Sequence, residues 1–155
     1  DFALGYLLPG LAIAAGQACV CLVCAWALGM ATGDRIPFAR GLLQIVSLLP
    51  AMLMAVSFGV LFGSLLSPKG APGAASVLIS ASGFLSGAWM PLEQMGTFGR
   101  VCRALPYYPA VRVGRAVLNG AWTRGNGRDL AVTAGWAALA LGLAIWAQKR
   151  AMQAQ

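Results

Sequence analysis

The sequence contains no histidine, and its only carboxylates are Asp1, Asp34, Glu93 and Asp129, all at the edges of apolar runs. An acid–base pair, or a nucleophile with an adjacent base, would have to be assembled from these four and the serines. Nothing in their spacing nucleates one, so the chain is not read as an enzyme. It has no Gly-Lys dipeptide either, which removes the phosphate-cradling G-x-x-x-x-G-K-[ST] loop and with it any ATPase activity of its own. Charge is scarce as well. Charged residues are 10% of the 155 and hydrophobic ones 59%, with a mean hydropathy of +0.76, whereas a soluble domain carries about 25% charged residues. The net charge of +7 comes without a sustained soluble basic segment. That excludes nucleic acid as a partner and leaves membrane lipid as the anionic neighbour.

What is present is a series of long charge-free runs: Phe2 to Gly33, Gly41 to Pro68, Gly70 to Leu92 and Leu130 to Gln148. A hydrocarbon core of about 30 Å needs roughly 20 helical residues. Uninterrupted apolar runs lack the alternation of barrel strands, so the spans are helical. The expected architecture is all-α: a polytopic helical membrane protein with four transmembrane helices, at about 11–30, 42–66, 73–92 and 130–147, in a single domain covering 1–155. Leu8, Pro9 and Gly10 are expected at the interface, ahead of the first span. Pro50 should kink the second, because proline removes one helix hydrogen bond and crowds the preceding turn. The chain opens on Asp1 and shows no signal-peptide layout, so it is expected to be a piece of a longer protein.

Cys19, Cys21 and Cys24 are dense enough to suggest a metal site on a loop. On a helix, Cys19 and Cys21 point about 200° apart, and no histidine or nearby carboxylate completes a tetrahedral set. They are read as small hydrophobes, with no metal.

Between the third and fourth spans, Glu93 to Arg128 makes a connection of 36 residues. Two short amphipathic patterns flank "LPYYP" within it. In the first, Phe98, Val101, Cys102 and Leu105 share a face beside Arg100 and Arg103; in the second, Val113 and Val117 line up beside Arg112 and Arg115. A helix of about 10 residues reaches about 15 Å, half the hydrocarbon thickness, so neither crosses. Two half-length helices joined at Pro106 and Pro109 predict a re-entrant or interfacial hairpin at about 96–118. At membrane depth such a hairpin is tolerated when buried in protein or lining a wet cavity. Arginine, together with Tyr107, Tyr108 and Trp122, suits the headgroup level, and an amphipathic segment lying flat on the lipid is the plainer alternative.

Small residues mark a second feature. Ser76, Ser80, Gly83 and Gly87 are spaced four, three and four apart, one helix face for close packing, and Gly59 and Gly63 form another such pair.

The segment "GFLSGAWMPLEQM...LPYYPAVRVGR", Gly83 to Arg115, resembles the end of the fifth span and the external re-entrant helices of type 2 ATP-binding cassette (ABC) permeases. That family shows a small-residue span ending in apolar-Pro-x-Glu, a short helix, a Leu-Pro-x-x-Tyr-like turn and an arginine helix. Gly96 stands where the family often has a second proline. The resemblance implies the last four spans of a six-span permease in a bacterial ABC exporter of the cytoplasmic (inner) membrane. It also implies a second permease copy, homo- or heterodimeric, and a partner ABC ATPase subunit that holds the ATP and magnesium. An external gate would involve Pro91, Glu93, Arg100, Arg103, Pro106, Tyr108 and Arg112, with Glu93 pairing to Arg100 or Arg103. The cargo would be a drug, lipid or glycan. The family's main coupling helix would precede Asp1, leaving Ser67 to Pro72 as the candidate cytoplasmic contact. A non-transporting membrane-anchoring or assembly subunit is the alternative.

Charge placement points the other way on orientation. Lys69, Lys149 and Arg150 fall on one side, and Arg35, Arg40, Arg100, Arg103, Arg112, Arg115, Arg124 and Arg128 on the other, so the positive-inside rule sets the second side in the cytoplasm. The resemblance sets it outside. It is followed here because six of the eight arginines lie in the hairpin connection, and spans upstream would have their own say in orientation.

Overall fold

Lipid offers backbone N–H and C=O groups no partner, so a chain this apolar must satisfy them within its own helices. The computed structural model describes residues 2–33, 37–67, 69–88 and 92–153, and among them no strand occurs. The helices are α1 (Phe2–Thr32), α2 (Phe38–Ser47), α3 (Leu49–Leu65), α4 (Gly70–Leu85), α5 (Gly96–Ala104), α6 (Tyr107–Asn119) and α7 (Arg124–Gln153), with a 3₁₀ turn at Leu92–Gln94. Two stretches are long and apolar enough to cross a membrane, Leu7–Thr32 and Arg124–Gln153. The bent pair α2 and α3 makes a third candidate when taken as one span.

The expected break at Pro50 is present. It divides the second apolar run into α2 and α3, bent by 46°. Pro50 occupies the first turn of α3, where its missing N–H costs nothing. The end of α2 tightens around it: the Leu48 N–H is shared between the carbonyls of Gln44 (3.0 Å) and Ile45 (3.2 Å), and Ser47 Oγ donates to Gln44 O at 2.8 Å. α1 begins at Phe2 and runs through Leu8, Pro9 and Gly10 without ending. Gly10 is a contact point there. A Cβ added to it would sit 2.7 Å from Val56 Cγ1, so the missing side chain makes room for Val56 of α3.

The third expected span, 73–92, is shorter in the structure. α4 stops at Leu85, because Gly87 turns the backbone to φ +71°, and its 16 residues span about 24 Å. α4 also buries none of its side chains within this chain.

The core instead lies along the seam between α3 and α7. Met54 and Ser57 of α3 are fully buried, and Thr133, Ala137, Ala140, Ala144 and Ala147 of α7 are buried at spacings of four, three, four and three. Ser57 Oγ donates to Leu53 O at 2.7 Å and Thr133 Oγ1 to Asp129 O at 2.9 Å, so the buried hydroxyls are satisfied inside their own helices. The start of α7 is fixed by Asn126, whose Oδ1 accepts from Thr123 N–H (2.8 Å) and Thr123 Oγ1 (2.7 Å). This satisfies a donor that helix starts otherwise leave open.

Candidate functional site

The "LPYYP" turn folds as its prolines dictate. Leu105 precedes Pro106 and is pushed into extended conformation (φ −76°, ψ 150°), which ends α5. Pro106 then opens α6, and Pro109 lies in its first turn, where proline is tolerated. α6 ends at Gly120 in left-handed conformation (φ +66°), with the Ala121 N–H bonded to Ala116 O at 2.9 Å, a Schellman closure. The two half-helices, 9 and 13 residues long, span about 14 and 20 Å, less than the roughly 30 Å of hydrocarbon.

α6 is the most enclosed short element of the protein. It buries Tyr108, Pro109, Ala110, Val113, Gly114 and Ala116, and it packs between α2 and α7. The two consecutive tyrosines straddle two clusters. Tyr107 packs against Met54, Ala137 and Ala140 at the α3–α7 seam, whereas Tyr108 joins Leu92 and Cys102 beneath Leu85. Gly114 lets α2 close in: an added Cβ would lie 3.4 Å from Gln44 Nε2 and 3.5 Å from Leu48.

The arginines of the hairpin are placed individually. Arg115 Nη2 donates to the carbonyls of Gly87 (3.3 Å) and Ala88 (3.1 Å), groups just past the C-terminal end of α4, which favours positive charge. Arg40 of α2 lays its guanidinium against Gly120 at the C-terminal end of α6. Arg112 pairs through Nε with Asp129 Oδ2 at 3.4 Å and lies 5.8 Å from the Tyr108 ring centroid. The Asp129 oxygen is buried without a hydrogen bond, so this ion pair is its compensation.

Among the predicted site residues, Pro106 and Tyr108 are buried in the hairpin, and Arg103 and Arg112 line one cleft with Asp129. Arg100 is exposed on α5. Pro91 and the Glu93 side chain lie outside the described residues, and so does the expected pairing of Glu93 with Arg100 or Arg103. The amphipathic face expected for α5 is rotated: Gly99 and Cys102 are buried, while Phe98 and Val101 are 50% and 60% exposed. Gly99 sets this rotation, because its bare Cα lies directly against the Leu92 carbonyl.

Ser76, Ser80, Gly83 and Gly87 do not form one packed face within the chain. Ser76 and Ser80 are exposed, Gly83 is half-buried, and Gly87 falls beyond the end of α4, where helical spacing no longer applies. Gly59 and Gly63 likewise face open space. The small-residue face that does pack is the alanine face of α7. The same periodicity was available in its sequence, but carried by alanine instead of serine and glycine.

A model of the ABC-2 type transporter family matches residues 1–119, from the start of α1 to the last residue of α6. No curated protein and no solved structure gives a significant match. The matched region includes all of Gly83 to Arg115, the segment that carries the resemblance to ABC permeases. The chain belongs to the ABC-2 type transporter family, as a membrane transport component that is not itself catalytic.

Proposed function

We propose that this protein is the permease subunit of a bacterial ABC exporter, moving a drug, lipid or glycan across the inner membrane with ATP and magnesium held by a partner ATPase. On this reading α1, the bent α2–α3 pair, α4 and α7 are the last four of six spans. The α5–α6 hairpin re-enters the membrane from the outer side. The observation that carries it is the burial of α6: a helix too short to cross is packed between α2 and α7 and buries six of its residues, the condition under which non-spanning backbone is tolerated at membrane depth. The exposed Ser76 and Ser80 face of α4, and Gly59 and Gly63 of α3, are where we place the second permease copy, since small residues allow close helix approach. Closure of the ATPase pair would shift the permeases between two states by binding one better than the other.

The full-length protein should co-purify with an ATPase whose hydrolysis rises with cargo. Depth-sensitive spin labels at the exposed positions Phe98, Val101 and Trp122 should report lipid or interface. Bulk-water accessibility throughout that stretch, with no ATPase retained, would leave the anchoring-subunit reading in its place. In the gate reading, Glu93→Gln should change transport and its dependence on pH or voltage while protein level stays constant. Unchanged transport on both counts removes Glu93 from the gate.

A further inference from the structure

One cleft differs in chemistry from the apolar clefts between α1, α3 and α7 and between α3 and α4. It has a volume of about 480 Å³, and its walls include Arg103 of α5, Tyr108 and Arg112 of α6, and Arg128, Asp129 and Val132 of α7. Arg112 and Asp129 neutralise one another across it. Arg103 and Arg128 pair with no carboxylate among the described residues, so three arginines less one aspartate leave the cleft at +2. Two guanidiniums brought to one cavity from different helices repel each other unless an anion sits between them. The cleft also has a defined level. Val132 on its wall belongs to the charge-free run that begins at Leu130, and Arg128 stands immediately before that run. It therefore opens where hydrocarbon gives way to headgroups.

We infer that this cleft binds the phosphate of an anionic lipid headgroup. Guanidinium is the side chain best suited to phosphate, which it meets with two parallel N–H donors, and the volume admits a glycerophosphate group. Tyr108 beneath Arg112 holds that guanidinium by a cation–π contact, and Asp129 directs it, so Arg103 and Arg128 are left to receive the ligand. The inference rests on the hairpin lying at the membrane edge, as proposed above, but its test is independent of transport and of any ATPase.

The full-length protein is reconstituted in nanodiscs of phosphatidylcholine containing phosphatidylglycerol, and retained lipid is read by native mass spectrometry after detergent release. The wild type should hold phosphatidylglycerol in preference to phosphatidylcholine. The Arg103→Gln/Arg128→Gln pair should hold it at least tenfold more weakly, since glutamine cannot replace the paired, charged N–H donors that the two guanidiniums offer one phosphate. Arg100→Gln/Arg124→Gln removes the same charge from exposed positions outside the cleft and should leave retention unchanged. Equal losses in both pairs would mean diffuse attraction and overturn the site. Displacement of the lipid by equimolar inorganic phosphate would make the ligand free phosphate and overturn the headgroup assignment. Spin labels that still report interface depth alongside unaltered lipid retention would defeat the cleft reading alone and leave the permease reading standing.

Discussion

Leucine at position 140 is expected to separate α7 from α3 and leave the protein unable to run as a single species in mild detergent. Ala140 is fully buried against Met54, with Ala137 one turn before it and Ala144 one turn after. The three extra carbons of leucine have no void to enter at this fully buried position. Overpacking of a tight core costs about 1–3 kcal/mol and occasionally more, and two long helices held along one alanine face cannot bend locally to relieve it. The membrane setting sharpens the argument. Between lipid-embedded helices there is no hydrophobic driving force, so association rests on close packing, which the alanine face supplies. For the same reason Met54→Ala should cost near the low end of the soluble range, about 2 kcal/mol, because the cavity remains but the transfer from water does not. Ala138→Leu is the matched comparison. Two residues away on the same helix, Ala138 borders an apolar cleft of about 470 Å³ between α1, α3 and α7. It should be tolerated. Size-exclusion profiles and SDS-induced unfolding of the three variants decide the matter, and equal behaviour of positions 138 and 140 would show that the seam is not the principal contact.

That seam illustrates what the sequence makes legible and what it does not. Helical class, the break at Pro50 and the two half-helices around Pro106 are local properties: charge spacing, proline geometry and element length decide them within a few residues. Partner choice is not local. The spacing of Ser76, Ser80 and Gly83 and that of Ala137, Ala140 and Ala144 both describe a small-residue helix face, and nothing in either says which one meets another helix of the same chain. The turn that follows α4 at Gly87 is held in part by Arg115, which reaches the carbonyls of Gly87 and Ala88 from 28 and 27 residues downstream. Gly41 is equally silent in sequence, yet it is the point where α2 receives Leu22 of α1. The cleft was half visible. Arg103, Tyr108 and Arg112 fall within the hairpin stretch that the sequence marks out, but Arg128 and Asp129 sit on the next helix and join them only through the packing of α6 against α7.

Gly99→Val is expected to release α5 from the hairpin while the rest of the fold stays intact. A Cβ at this position would run into the carbonyl of Leu92, a backbone atom that cannot rotate away as a side-chain tip would. The adjoining cluster of Leu92, Cys102 and Tyr108 is what docks α5, and α5 makes no extensive contact elsewhere. A cost of about 3 kcal/mol, the upper end for overpacking, would shift the docked-to-undocked ratio on the order of a hundredfold. Such an opening is sub-global, so a thermal midpoint is the wrong observable. Cys102 supplies a better one, being 1% exposed in the docked state. With Cys19, Cys21 and Cys24 replaced by alanine, Cys102 is the one thiol left, and those three are exposed on α1 and dispensable for packing. A water-soluble maleimide should then react at least tenfold faster in Gly99→Val than in the glycine background, since exposure of the thiol tracks the open population. Phe98→Ala, an exposed neighbour on the same helix, should leave the rate unchanged. Should valine leave Cys102 protected, the contact with Leu92 would not be what sets the rotation of α5. The face it presents, with Phe98 and Val101 outward, would then need another cause.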